Sequence, residues 1–155
     1  MTEAGEDLRR DIETLYREEG SRLWRSVMSF TGDRAVTDDA VAEAFAQLLH
    51  RGEAVRDPRA WVWKASFRIA AGELKRRGSP PIADAGRAYD LPDPLPEVLA
   101  AIAALPPMQR AVIILHDYAD RPTADIADVL GIAGSTVRVH LSQARRRLRK
   151  KLEES

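Results

Sequence analysis

The chain has 155 residues, with 24 Lys+Arg against 24 Asp+Glu, 45% hydrophobic residues and no cysteine. The length allows one ordinary domain or two small ones, the apolar fraction excludes a disordered chain, and the missing cysteine excludes a disulfide framework or a thiolate metal site. No run of about 18 apolar residues exists, and the acidic, polar start MTEAGEDLRR is unlike a signal peptide, so a soluble cytoplasmic protein without membrane insertion is expected.

Almost every segment reads as helix. A first helix is predicted from about Asp7 to Glu18, with Leu8, Ile12, Leu15 and Tyr16 at helical spacing. Gly20-Ser21 is read as an interruption, after which Leu23, Trp24, Val27 and Phe30 mark a second helix ending at Thr31-Gly32. A third spans about Val36 to His50, with Val41, Phe45, Leu48 and Leu49 inward and Asp38, Asp39 and Glu43 toward its start, where negative charge suits the helix dipole. Asp57-Pro58 opens a fourth, running to about Arg77.

The stretch GSPPIADAGRAYDLPDPLPE is rich in Pro, Gly and Asp and reads as a linker, assigned to residues 78–95. A short helix with Val98, Leu99, Ile102 and Leu105 follows. Pro106-Pro107 then starts another, carrying Met108, Val112, Ile113, Leu115 and Tyr118, and two more are expected at about 123–130 and 135–152. No convincing alternating strand appears. The expected fold is all-α, two small helical domains of four helices each, 1–77 and 96–155, joined by the linker. Domains this small bury only about 60% of their unfolded surface, so contacts with partners are expected to contribute to their stability.

Whole-chain neutrality argues at first against nucleic acid, whose binders usually carry a basic excess. The charge is uneven, however. Residues 51–77 carry a balance of +5 and residues 138–155 another +5, offset by −5 over 1–50, −3 over 78–97 and −2 over 98–137. Beyond a Debye length of about 8 Å salt screens the acidic remainder, so both basic stretches remain able to hold phosphate.

The second of them lies in TADIADVLGIAGSTVRVHLSQARRRLRKKL, which has the form of a helix-turn-helix. Thr123 is positioned to cap the first helix. Ile126 and Leu130 face inward, Ala127 is small where a second helix must cross, Gly131 suits the positive φ of the turn, and Ile132 fills the space beneath it. On the second helix Val137, Leu141, Ala144 and Leu148 form one stripe. The opposite surface carries Ser135, Thr136, Arg138, Val139, Ser142, Arg145, Arg146 and Arg149, short side chains near the N-terminus for base edges and arginines further along for phosphates. The plainer reading, a basic solvated helix in a bundle, does not account for the Ala127-x3-Gly131 turn and its matched apolar positions.

In DPRAWVWKASFRIAAGELKRRG, Lys64, Arg68 and Lys75 share one face with Trp61 beside them, an arrangement able to hold phosphate and stack unpaired bases. Trp63, Phe67, Ala70 and Leu74 form a separate stripe, with Trp63 and Phe67 expected in the hydrophobic core. Asp38, Asp39 and Glu43 offer an acidic surface to a basic protein partner, although a charged helix is often simply solvated. His50, His116 and His140 lack metal-ligand spacing, and there is no Gly-rich phosphate loop, G-x-S-x-G elbow or cysteine nucleophile. No catalytic residue, metal or cofactor is therefore assigned.

Over nearly its full length the chain resembles the extracytoplasmic-function (ECF) class of bacterial RNA polymerase sigma factors. Asp38-Asp39-Ala40-Val41-Ala42-Glu43-Ala44-Phe45 resembles the family's core-binding motif E-D-x-V-Q-E-A-F. WVWKASFRIAAGELKRR, from Trp61 to Arg77, is similar to its promoter-melting helix, and the segment from Ala104 onward to its closing helix-turn-helix domain. There are departures. Ala42 replaces the usual Gln, Arg68 the usual Asn, Gly72 the usual Asp and Ser135 the usual Gly, while His140 and Gln143 stand where Arg is common. The STVRVHLS stretch also resembles LuxR/NarL output domains.

The resemblance implies a sigma factor whose 1–77 segment (region 2-like) docks on polymerase core enzyme through Asp38, Asp39 and Glu43. The same segment would hold the −10 element with Trp61, Lys64, Arg68 and Lys75. It implies that 78–95 threads toward the RNA exit path and that 96–155 (region 4-like) reads the −35 element through the helix-turn-helix. Core polymerase, promoter DNA and an anti-sigma factor are the implied partners, and no enzymatic activity is implied. Two other readings fit the residues: a helix-turn-helix regulator with a sensing or dimerising N-terminal bundle, and a degenerate sigma-like protein that binds polymerase without recognising a promoter.

Overall fold

The computed structural model describes residues 3–77 and 96–154; the proposed linker 78–95 lies outside the described residues. In the N-terminal half α1 spans Glu3–Thr31, α2 Arg34–Arg51 and α3 Pro58–Arg77, with a short 3-10 turn at Gly52–Ala54. In the C-terminal half α4 spans Pro96–Ala103, α5 Pro107–Ile113 running into a π-helical turn at Ile114–Tyr118, α6 Thr123–Leu130 and α7 Gly134–Glu153. The described residues contain no strand, as expected of an all-α chain. None of their helices is long and apolar enough to cross a membrane.

Where two N-terminal helices were expected there is one, because α1 continues through Gly20-Ser21 for 29 residues. Its buried face of Ile12, Leu15, Glu19, Leu23, Val27 and Phe30 keeps helical spacing across the glycine, which is itself buried. A glycine inside a helix costs about 1 kcal/mol relative to alanine, less than burying one large apolar side chain on that face returns. The N-terminal half therefore has three α-helices, not four.

The joints follow local chemistry. α1 stops at Gly32, whose φ of +67° closes the turn. Asp33 then caps α2, its Oδ1 accepting from the Val36 N–H at 3.0 Å. The Thr31 and Thr37 hydroxyls, both buried, meet at 2.7 Å across this corner. Asp57 starts α3 in the same way, accepting from the Ala60 N–H at 3.1 Å. Trp63 and Phe67 on α3 lie in the hydrophobic core as expected, their rings stacked at 6.3 Å. Two residues grouped with the apolar stripes lie outside it: Tyr16 is 58% exposed and Leu49 49% exposed.

The C-terminal half wraps α4, α5 and α6 around α7, which buries Val137, Leu141 and Ala144. The two halves share one continuous core. α6 lies against α3 and the turn after α5 against α1. At this seam Arg121 stacks on the Trp63 ring at 4.4 Å and reaches the buried Glu19 carboxylate at 3.4 Å. Arg59 reaches the same carboxylate at 3.0 Å. Arg110, itself buried, lies 5.5 Å from the Phe30 ring, and burial pushes its guanidinium below the ordinary arginine value.

Candidate nucleic-acid interface

The turn between α6 and α7 is built as a helix-turn-helix requires. Gly131 ends α6 in the left-handed region, φ +68° and ψ 36°, and its N–H returns to the Ala127 carbonyl. The Ile132 N–H bonds the same carbonyl at 3.0 Å. Ile126 is fully buried, Leu130 and Ile132 are half-buried, and α7 presents Val137, Leu141 and Ala144 to them. Thr123 does not cap α6: it is the first helical residue after Pro122, with no side-chain cap bond. Pro122 itself holds the N-cap position, with φ −64° and an extended ψ of 154° and no side-chain acceptor, so the Thr123 hydroxyl falls one position too late to act as the cap.

The inward stripe leaves the opposite face of α7 outside. Ser135, Arg138, Val139, Ser142, Arg146 and Arg149 are all exposed there, and Thr136 is half-buried at its edge. Arg145, expected among the phosphate contacts, is tied down in part. Its guanidinium donates to Asp117 at 2.8 Å, and Asp117 also meets the His116 ring at 2.6 Å. Partial burial raises the Asp117 carboxyl, but hydrogen bonds and charge from Arg145 and His116 outweigh it and hold the group below the usual carboxylate range. Gln143, on the flank of α7, accepts from Gln109 of α5 at 3.1 Å.

On α3 the expected basic face is only partly open. Arg68 and Lys75 are exposed, but Lys64 is half-buried and pairs with Asp128 of α6 at 3.4 Å. Arg68 borders a cavity of about 270 Å3 between the halves, whose other side is Leu130 and Gly131. Trp61 is not a free stacking platform: it is half-buried against the core with Arg51 5.7 Å over its ring. On α2, Asp38, Asp39 and Glu43 are all exposed; Asp38 also accepts from the Trp24 indole at 2.7 Å, and Glu43 from the Gln47 amide at 2.9 Å. The three groups thus form three separate surfaces, on α7, α3 and α2.

Sequence reasoning missed the seam residues Glu19, Arg59, Arg110 and Arg121. A signal existed for two of them. Glu19 occupies a core-facing position between Leu15 and Leu23, and Arg110 lies inside the apolar run of α5, where a charge must have a partner.

Residues 95–148 match the family model described as Sigma-70, region 4. The ECF RNA polymerase sigma factor SigL of Mycobacterium tuberculosis is 32% identical over 159 aligned positions, covering 92% of this chain and 89% of SigL. The chain belongs to the ECF RNA polymerase sigma factors. It is accordingly a transcription-initiation factor that directs RNA polymerase to promoters. Two further ECF sigma factors of the same organism, SigJ and SigM, are each 29% identical and cover 75% and 88% of this chain. In fold, this ECF chain is similar to CnrH in its complex with the cytosolic domain of CnrY, with a TM-score of 0.76, 24% identity, and coverage of 98% of this chain and 94% of CnrH. It is also similar to RpoE of Bartonella quintana in complex with the anti-sigma factor NepR, with a TM-score of 0.72, 19% identity, and coverage of 95% and 97%.

Proposed function

We propose that the two halves divide promoter recognition between them. Residues 96–155 act as region 4 and place α7 in the major groove of the −35 element. Ser135, Arg138, Val139 and Ser142 face base edges there, and Arg146 and Arg149, with Arg145 once released from Asp117, meet phosphates. Residues 1–77 act as region 2, with Asp38, Asp39 and Glu43 exposed toward core enzyme, and with Lys64, Arg68, Lys75 and the edge of Trp61 toward the −10 strand. Residues 78–95 connect them. The observation that carries this reading is the two-sided α7, with a buried apolar seam and an exposed serine, valine and arginine face opposite it.

The protein is proposed to work in the cytoplasm, without catalysis, metal or cofactor of its own, on core polymerase and promoter DNA, and to be held in check by an anti-sigma protein. Run-off transcription with purified core enzyme tests the assignment: added chain must yield a defined transcript from at least one fragment of the source genome. Copurification with polymerase but no transcript from any fragment would favour the degenerate sigma-like protein. Promoter binding without copurification would favour the simple helix-turn-helix regulator.

A further inference from the structure

Val139 is 53% exposed and lies on the side of α7 opposite the buried Val137, Leu141 and Ala144. Around it on that outer face are Ser135, Ser142 and Arg146. The isopropyl group has no place in the hydrophobic core, and valine is a poorer helix former than the arginines and leucines around it. Its side chain neither donates nor accepts a hydrogen bond, so among base edges it can recognise one group, the C5-methyl of thymine. We propose that Val139 reads a thymine methyl in the upstream promoter element. This rests on α7 entering the major groove there, as proposed above.

The test begins with reconstituted holoenzyme selecting from promoters randomised upstream. In the selected element, each thymine is replaced by deoxyuridine, which removes only the methyl. One position is expected to weaken binding about fourfold, the effect of exposing one methyl group. Val139→Ala should lose about as much on the thymine site and be indifferent to deoxyuridine at that position. A Val139→Ala protein that still distinguishes thymine from deoxyuridine overturns the assignment of Val139, as does a wild-type holoenzyme indifferent at every thymine. If no upstream element is selected at all, the placement of α7 falls, and the reading of Val139 with it.

Discussion

Arg138 and Asp117 show how much a single side chain on or beside α7 decides. Arg138 is exposed near the N-terminus of the helix, with its guanidinium close to Gly134. If it reads a base, Arg138→Ala should cost about 1–3 kcal/mol on the preferred −35 sequence and little on a scrambled one. A loss equal on both sequences, measured by competition binding with holoenzyme, would assign it to phosphate. Asp117 acts in the opposite direction by holding Arg145 back. Its folded-state carboxyl lies below the ordinary value because Arg145 and His116 outweigh the effect of partial burial. A depressed carboxyl contributes stability above its unfolded pKa and loses it as pH falls through the folded one. Denaturant midpoints should therefore fall more steeply with acid for the wild type than for Asp117→Asn, the extra loss setting in around the ordinary carboxylate value and continuing below it. An identical acid limb for both proteins would show that the Arg145 pair adds nothing to stability.

Among the elements, the α6–turn–α7 unit was the most legible from the sequence, because its spacing, its small Ala127 and its Gly131 all demand one geometry. Gly131 has nothing within 4 Å of where a Cβ would stand, so any cost of a side chain there is backbone strain alone. Gly131→Ala should lose about 1–2 kcal/mol in chemical denaturation, with Gly131→Asn recovering part of it because asparagine tolerates the left-handed region. Equal stability for the alanine variant would mean that the turn relaxes into another conformation. α1 was misread for a related reason. Gly20 looks the same in sequence as a helix-ending glycine, and only the apolar register running on through Glu19 and Leu23 shows that the helix continues. The partial covering of Lys64 and Trp61 was not legible at all. It arises from pairs such as Lys64–Asp128, 64 residues apart, and nothing in the local sequence of α3 announces which charge will meet it.

For the whole molecule, a net charge of zero conceals two basic helices, and the fold disposes of their charge differently. α7 keeps its outer arginines exposed, while α3 gives Lys64 to an aspartate of the other half. Each half alone is small enough to be marginal. The core nevertheless runs unbroken from Leu23 and Phe67 to Leu115 and Ile126, with Trp63, Phe30, Arg110 and Arg121 at the junction. Halves that share a core should unfold together. The three tryptophans, Trp24, Trp61 and Trp63, all lie in the N-terminal half, so their fluorescence reports on that half, whereas circular dichroism sums the helices of both. In the wild-type chain the two probes should trace one coincident denaturant transition. Arg121→Ala removes the group that stacks on Trp63 and pairs with Glu19, leaving the buried carboxylate, among the described residues, to Arg59. In that variant the coupling weakens, and the circular dichroism curve should broaden or separate from the fluorescence curve as the halves begin to unfold independently. Separate transitions already present in the wild type would mean that the seam contributes little free energy in solution, whatever its geometry.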